Sequence, residues 1–215
     1  NDPAAAPAAS SAATAYDLTA LPAGVSFDAA TSNFSLNASD PAYQHLAAGQ
    51  VQTVTVKYGV TDGMATTAAT ATFTVVGTND APVVSGAAHL TVHEDGIAQT
   101  FSTGMLLANA SDVDDNTVLQ VADLPAQFPS GVSQVDSAGG VIGIPDPTAY
   151  YGIRYVSTAP VHGLAIDTSS AAFQSLAEGE TTDITVNYSV SDGTVATPTS
   201  AIFTVVGTND APVVV

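Results

Sequence analysis

The groups in this 215-residue chain that could do chemistry are carboxylates: 20 Asp and Glu stand against two basic residues, Lys57 and Arg154, for a formal net charge of -18. Many of them are clustered. Asn79-Asp80 and Asn209-Asp210 are identical pairs, Glu94-Asp95 precedes Gly96, and Asp112, Asp114 and Asp115 lie within four residues, while Asp62 and Asp192 each precede a glycine. Crowded carboxylates with no Lys or Arg nearby repel one another, and a hard divalent cation is their natural counter-charge. Calcium takes about six to eight oxygens from carboxylates, carbonyls and water in flexible geometry, which suits Asp-x-Asp plus Asn-Asp better than the octahedron magnesium demands. Paired carboxylates could also cleave a glycosidic bond by acid–base catalysis. Taken singly, each cluster equally reads as a solvated turn or linker.

Other chemistries are poorly supplied. There is no cysteine for a disulfide, a thiolate metal site or a nucleophile. His93-Glu94-Asp95-Gly96-Ile97 begins like a zincin helix but lacks the second histidine. No Gly-x-Ser-x-Gly elbow occurs, and His45, His89 and His162 have no evident triad partner. The residues therefore point to a binding protein rather than an enzyme. Nucleic acid and anionic membranes are not expected partners, because phosphate binding needs clustered Lys and Arg. No apolar run reaches membrane-spanning length, and the first residues lack the pattern of a signal peptide. With 46% hydrophobic residues and a mean hydropathy of +0.27, the main body has enough apolar surface to fold.

The elements that must position these carboxylates are set out by an internal repeat. Residues 73–84 read FTVVGTNDAPVV, and residues 203–214 read the same. The offset of 130 (203 − 73) also aligns Tyr58 with Tyr188, Asp62-Gly63 with Asp192-Gly193, and YQHLAAGQ from Tyr43 with FQSLAEGE from Phe173. Two copies of one module are present, over 1–82 and 83–215. In each copy the residues before Asp-Gly alternate strictly: Val54, Val56, Tyr58, Val60, and Ile184, Val186, Tyr188, Val190. Period two with β-branched and aromatic residues predicts a half-buried strand, Asp-Gly a turn, and the run through Phe73 or Phe203 the return strand. The second module opens with a predicted strand from His89 to His93, a turn at Glu94-Asp95-Gly96, and a strand before Ala108. The first has no counterpart of this opening, so an open edge is expected, with its start disordered or completed by a neighbour. Only the FQSLAEGE-type segments suggest helix, of a turn or two. The fold class is all-β: tandem immunoglobulin-like or cadherin-like β-sandwich modules.

Strand direction converts this plan into geometry. If the last strand leaves at the bottom, the hairpin holding Asp192 is at the top, as are the Asp112–Asp115 loop and the incoming Asn79-Asp80 linker. Asn79, Asp80, Asp112, Asp114 and Asp192 are thus expected around one calcium-binding end of the second module. Glu94 and Asp95 fall at the bottom, near Asn209 and Asp210.

These segments resemble a known family. The TVNYSVSDG strand, the FTVVGTNDAPVV linker, the VHEDG turn and the ASDVDDN loop are similar to the VCBS or cadherin-like (Ra, CHDL) repeats of bacterial RTX-type adhesins. The two-module size resembles the Rhizobium-adhering (Rap) autoaggregation proteins. The resemblance implies type I secretion, an extracellular, surface-associated location, Ca2+ binding, and attachment to bacterial cell surfaces or to acidic exopolysaccharide or capsular polysaccharide, as in aggregation and biofilms. It carries the linker motif onto Asn79-Asp80 and Asn209-Asp210, the Asp-x-Asp onto Asp112 and Asp114, the post-strand Asp onto Asp62 and Asp192, and the bottom acidic position onto Glu94 or Asp95. The first module departs from the pattern around Asp62, where the incoming linker is missing. No glycine-rich RTX nonapeptide array occurs.

An insertion near 142–161 has no partner in the first module and concentrates Tyr150, Tyr151, Arg154 and Tyr155. Aromatic faces stack on sugar rings and Arg clamps carboxylates bidentately, so these four are the candidate glycan-contacting residues; packing over a sheet edge is the competing reading. Two alternatives to a polysaccharide-binding adhesin stand beside it: a spacer that calcium stiffens, and a polysaccharide-processing enzyme.

Overall fold

The computed structural model describes residues 12–15, 20–97, 99–124, 132–134 and 163–212. The chain separates into two compact units, Asn1–Asp80 with Val113–Asn116, and Ala81–Asp112 with Thr117–Val215.

Unit 1 contains β1 (Ala12–Ala15), β2 (Val25–Asp28), β3 (Asn33–Leu36), β4 (Val51–Thr61) and β5 (Thr66–Val76). β1, β4 and β5 form one antiparallel sheet, and β2 pairs with β3 as a separate hairpin. The alternation read from the sequence sets the packing. Val54 and Val56 on β4 are buried, and Val54 joins Val75, Tyr43 and Leu46 in a small core against which Val25, Leu36 and Phe73 pack. Three rings extend this layer from hairpin to sheet: Phe27 to Phe34 at 4.8 Å and Phe34 to Tyr58 at 5.3 Å between centroids.

Unit 2 contains β6 (Val83–Val84), β7 (Ala88–His93), β8 (Gln99–Ser102), α1 (Thr103–Leu106), β9 (Ala110–Ser111), β10 (Gln120–Ala122), β11 (Val132–Gln134), β12 (Gly163–Ile166), β13 (Thr181–Ser191) and β14 (Ala196–Val206). One sheet runs β10-β13-β14-β7 and the other β11-β12-β8; β6 and β9 make a two-stranded ladder. The inner faces meet in a core that includes Phe101, Leu164, Ile166, Val186, Tyr188, Val190, Phe203 and Val205, so the unit is a two-sheet sandwich. Burying a side chain such as Phe203 fully contributes about 1.5–3 kcal/mol, which is why the sheet face that carries it is fixed in register. Tyr188 places its ring in this core and donates its hydroxyl to Leu106 O at 2.6 Å, and burial raises its pKa.

Both terminal hairpins form where the alternation predicts, each of two eleven-residue strands. The glycine of the repeated GTNDAP segment has a packing role in both. Gly77 N–H donates to Gln50 O at 2.8 Å, Gly207 N–H donates to Glu180 O at 2.7 Å, and a Cβ on either would lie 2.2 Å from a backbone carbonyl oxygen. Two local expectations change. The strand predicted before Ala108 ends at Ser102, whose Oγ accepts Met105 N–H at 3.3 Å and caps the four-residue α1. The segments from Tyr43 and Phe173 form successive turns rather than α-helix, the first preceded by a 3-10 turn at Pro41–Tyr43. The expected disorder or completion by a neighbour concerns the first residues of unit 1, which lie outside the described residues apart from β1.

Candidate functional site

The best-defined acidic position is built by strand direction. β7 runs parallel to β14 with Val206 opposite His93, so the residues that follow the two strands emerge side by side. Glu94 N–H donates to Val206 O at 3.0 Å, and Glu94 Oε1 accepts Thr208 N–H at 2.5 Å. The side chain is 1% exposed, and its Oε2 is buried without a hydrogen bond among the described residues. Asp95 beside it is exposed and takes a left-handed φ of 56°, tightening the turn. Buried Thr168 closes that turn by donating Oγ1 to Gly96 O at 2.9 Å. Asn209 and Asp210, next along the chain from Thr208, are exposed, with Asn209 Nδ2 donating to Asp210 O at 3.2 Å. The expected adjacency of the Glu94 turn and the second Asn-Asp segment is thus visible in unit 2 by itself.

In unit 1 the first Asn-Asp segment meets the acidic loop. Asp80 N–H donates to Asp114 Oδ2 at 2.9 Å, Asp114 is 6% exposed, and Asn79 Nδ2 donates to Asp80 O at 2.7 Å. Asp115 N–H donates to His45 O at 2.8 Å, and His45 Nε2 lies 3.8 Å from Asp115 Oδ2. The participation of His45, within YQHLAAGQ, was not legible in the sequence; only the shared unit makes it visible. Asp112, half-buried, falls in unit 2.

Asp62 and Asp192 do the same job in the two hairpin turns. Oδ1 of Asp62 accepts the N–H groups of Met64 at 2.9 Å and Ala65 at 2.8 Å; Oδ1 of Asp192 accepts those of Thr194 at 2.6 Å and Val195 at 2.7 Å. The bonds from Ala65 and Met64 hold the Asp62 carboxyl below its ordinary value, because they favour the ionised form. One oxygen of each aspartate is therefore committed to its turn.

Among the described residues no group of three or more His, Asp or Glu side chains forms a set that could hold a metal ion. Two local acidic arrangements are formed, Asp80 with Asp114 within unit 1 and Glu94 with Thr208 within unit 2; of the expected set, Asn79, Asp80 and Asp114 belong to unit 1 and Asp112 and Asp192 to unit 2. Both offer hard oxygen donors, the chemistry calcium takes, and Glu94 Oε2 is a buried carboxylate oxygen without a hydrogen bond among the described residues. Tyr150, Tyr151, Arg154 and Tyr155 lie outside the described residues. A feature the sequence did not flag is an open hollow of about 400 Å³ lined by Lys57, Tyr58, Ala68, Ala69 and Thr70, small residues opposite the exposed Lys57.

A family model described as a cadherin-like domain matches residues 78–153. No curated protein sequence matches the chain. Solved structures similar to it include mouse clustered PcdhgC3 EC1-3 (14% identity, 86% of this chain and 51% of that one, TM-score 0.43). The protocadherin GammaB4 extracellular domain matches at 11% identity over 87% of this chain and 26% of that one, TM-score 0.40. The endo-fucoidan hydrolase MfFcnA4 from glycoside hydrolase family 107 matches at 15% identity over 91% of this chain and 23% of that one, TM-score 0.34. The chain spans about half the length of the first of these and about a quarter of the other two. The fold is an all-β, cadherin-like sandwich. Among the described residues no helix is long and apolar enough to cross a membrane.

Proposed function

We propose that this chain is an extracellular, calcium-binding adhesion module that attaches to acidic polysaccharide at bacterial surfaces. A cadherin-like domain suggests an adhesion-type or spacer role, and the carboxylates supply the finer reading. The observation that carries it is Glu94: a side chain 1% exposed, with one oxygen on Thr208 N–H and the other without a hydrogen bond among the described residues. A buried carboxylate is stable when paired or coordinated to a metal, and a chain with two basic residues has little to pair it with. Calcium at this position would draw further oxygens from the adjoining Asn209-Asp210 segment and Asp95. The Asn79, Asp80, Asp114 arrangement is the second candidate, with Asp112, Asp192 and Asp62 as further candidate carboxylates.

Calcium also answers an electrostatic objection. An anionic chain and a polyuronate repel each other, and a divalent ion shared between carboxylates reverses the sign of the contact. Tandem weak sites then gain from repetition, because holding one raises the effective concentration of the next. A spacer role is the second reading, favoured by the literal repeat of FTVVGTNDAPVV and of the glycine packing beneath it.

The test is calorimetric titration of chelator-stripped protein with calcium, followed by sedimentation with an acidic polysaccharide. Calcium binding with a raised melting temperature, and co-sedimentation abolished by chelator, supports the adhesin. Calcium binding without polysaccharide capture leaves the spacer, and no calcium binding removes both calcium readings.

A further inference from the structure

One turn occurs in both units but is built with different residues. In unit 2 it is Asp167-Thr168-Ser169, directly after β12, where Asp167 Oδ1 accepts Ser169 N–H at 3.0 Å and the Ser169 hydroxyl at 2.7 Å. At the offset of 130 its mate in unit 1 is Asn37-Ala38-Ser39, directly after β3, where Asn37 Oδ1 accepts Ser39 N–H at 3.1 Å. The turn needs one side-chain oxygen two residues ahead of an N–H, which aspartate supplies as well as asparagine. The Nδ2 amide of Asn37 is therefore surplus to the fold.

That amide is presented rather than hidden. Asn37, Ala38 and Ser39 are all exposed, and among the described residues neither Asn37 Nδ2 nor Ser39 Oγ makes a hydrogen bond. The backbone beneath is fixed: Asn37 N–H donates to Gly24 O at 2.8 Å, Asp40 N–H to Asn37 O at 3.2 Å, and Gln44 Nε2 to Ala38 O at 3.2 Å.

Asn-x-Ser, with x other than proline, is the acceptor triplet of asparagine-linked glycosylation. The sequence has three more, at Asn33, Asn109 and Asn187, and the fold withdraws each. Asn109 Nδ2 donates to Ala87 O at 2.8 Å, so its nitrogen is committed. Asn187-Tyr188-Ser189 lies within β13, between β10 and β14, with Tyr188 3% and Ser189 7% exposed. Asn33-Phe34-Ser35 is part of β3, extended against β2, with Ser35 Oγ hydrogen-bonded to Ser26 Oγ at 2.7 Å. In an extended strand residues i and i+2 stand about 6.6–6.8 Å apart, whereas the Asn37 turn folds the carboxamide back over the backbone of its own serine.

We infer that Asn37 is the asparagine of this chain that receives a sugar, from a glycosyl diphosphate donor and by way of a glycosyltransferase. Nδ2 attacks the anomeric carbon, the new C–N bond forms as the C–O bond to the diphosphate breaks, and the diphosphate leaves with the electron pair. One Nδ2 proton passes to a carboxylate base of the transferase. The hydrogen bond from Ser39 N–H to Oδ1 favours the deprotonated carboxamide and so assists that loss. A nucleotide and a polyprenyl diphosphate donor offer the same chemistry to this nitrogen.

The test is peptide mapping by mass spectrometry of the whole chain isolated from its own source, where a sugar is expected on Asn37. A single hexose there assigns a nucleotide sugar donor, and a complete oligosaccharide a polyprenyl one. In vitro the probes are UDP-glucose with a soluble Asn-x-Ser glucosyltransferase, and a polyprenyl diphosphate oligosaccharide with a membrane oligosaccharyltransferase. The folded chain should be modified at Asn37 about tenfold or more faster than at Asn33, Asn109 or Asn187, which require local opening, and free peptides spanning the four triplets should not show that preference. Asn37→Asp keeps the turn, as Asp167 does in unit 2, so it should leave the melting temperature unchanged and abolish the modification. An unmodified Asn37 in the isolated chain overturns the inference, as does equal modification of Asn109 or Asn187 in the folded chain, or the same preference for Asn37 among the free peptides.

Discussion

Replacing Glu94 by Gln should change stability with opposite sign in chelator and in calcium. In chelator the wild-type protein holds a carboxylate that is 1% exposed and, among the described residues, accepts one hydrogen bond, from Thr208 N–H at 2.5 Å. Removing such a charge from water costs several kcal/mol, of which one charge-assisted hydrogen bond returns about 1.5–3 kcal/mol. Gln keeps the volume and can still accept that N–H, but it puts an amide NH2 where Oε2 lies, at a cost of about 1–3 kcal/mol. The balance leaves the variant about 1.5 kcal/mol more stable without calcium. At calcium a thousandfold above Kd the wild type gains about 4.1 kcal/mol, whereas a variant binding a hundredfold more weakly gains about 1.4 kcal/mol. The order then inverts, by roughly 1 kcal/mol. At about 4 °C per kcal/mol for a unit of this size, the variant melts about 6 °C higher in chelator and about 4 °C lower in calcium. Thermal melts of both proteins in both buffers read this directly. A shift of the same sign in both would refute the assignment of Glu94 as a calcium ligand, and no shift in either would refute its burial as a charge.

The remaining predictions concern the scaffold. Gly207→Ala brings a Cβ to 2.2 Å from Ala177 O and 2.8 Å from Leu176 Cβ, so urea denaturation should show a loss of about 2–4 kcal/mol. Gly86→Ala, which meets nothing within 4 Å, is the control and should cost less than about 0.5 kcal/mol. Asp62 should contribute to acid stability in a defined direction. Its folded pKa lies below the ordinary value of 3.8, so its contribution is complete above that value and is lost as the pH falls through the lower folded one. Asp62→Asn should therefore flatten the part of the unfolding curve below about pH 4 that reports on unit 1, checked by the amide signals of Met64 and Ala65 during an acid titration.

How much of this was legible in the sequence depends on the range of the interaction. The two terminal hairpins were, because Val54 to Val60 and Ile184 to Val190 alternate over enough residues to set a period, and the Asp-Gly turns close them locally. Strand direction alone carried the adjacency of Glu94 to the segment after β14. Its burial was not visible: a glutamate in a turn reads as solvated, and only the parallel pairing of β7 with β14 draws it inward. Helix α1 was missed because four residues hold no periodicity, and its one local signal, Ser102 as a cap, is shared with many turns. The acidic loop was read as one cluster, but Val113–Asn116 belongs with unit 1 while Asp112 does not, a division made by the contacts of Asp114 and Asp115 rather than by their spacing.

The parallel pairing of β7 and β14 also decides how unit 2 bears load. The chain enters the unit at Ala81, ahead of β6 and β7, its last described segment, 207–212, follows β14, and β7 and β14 lie side by side, pointing the same way. Tension between the entry and the exit drags one strand backward along the other, so the ladder from Ala201↔Ala88 to Val206↔His93 is loaded in shear and its bonds must yield together rather than peel one by one. Glu94, bonded to Val206 O and Thr208 N–H at the exit end, lies directly in that force path, so an ion bound there would strengthen the unit where it is pulled.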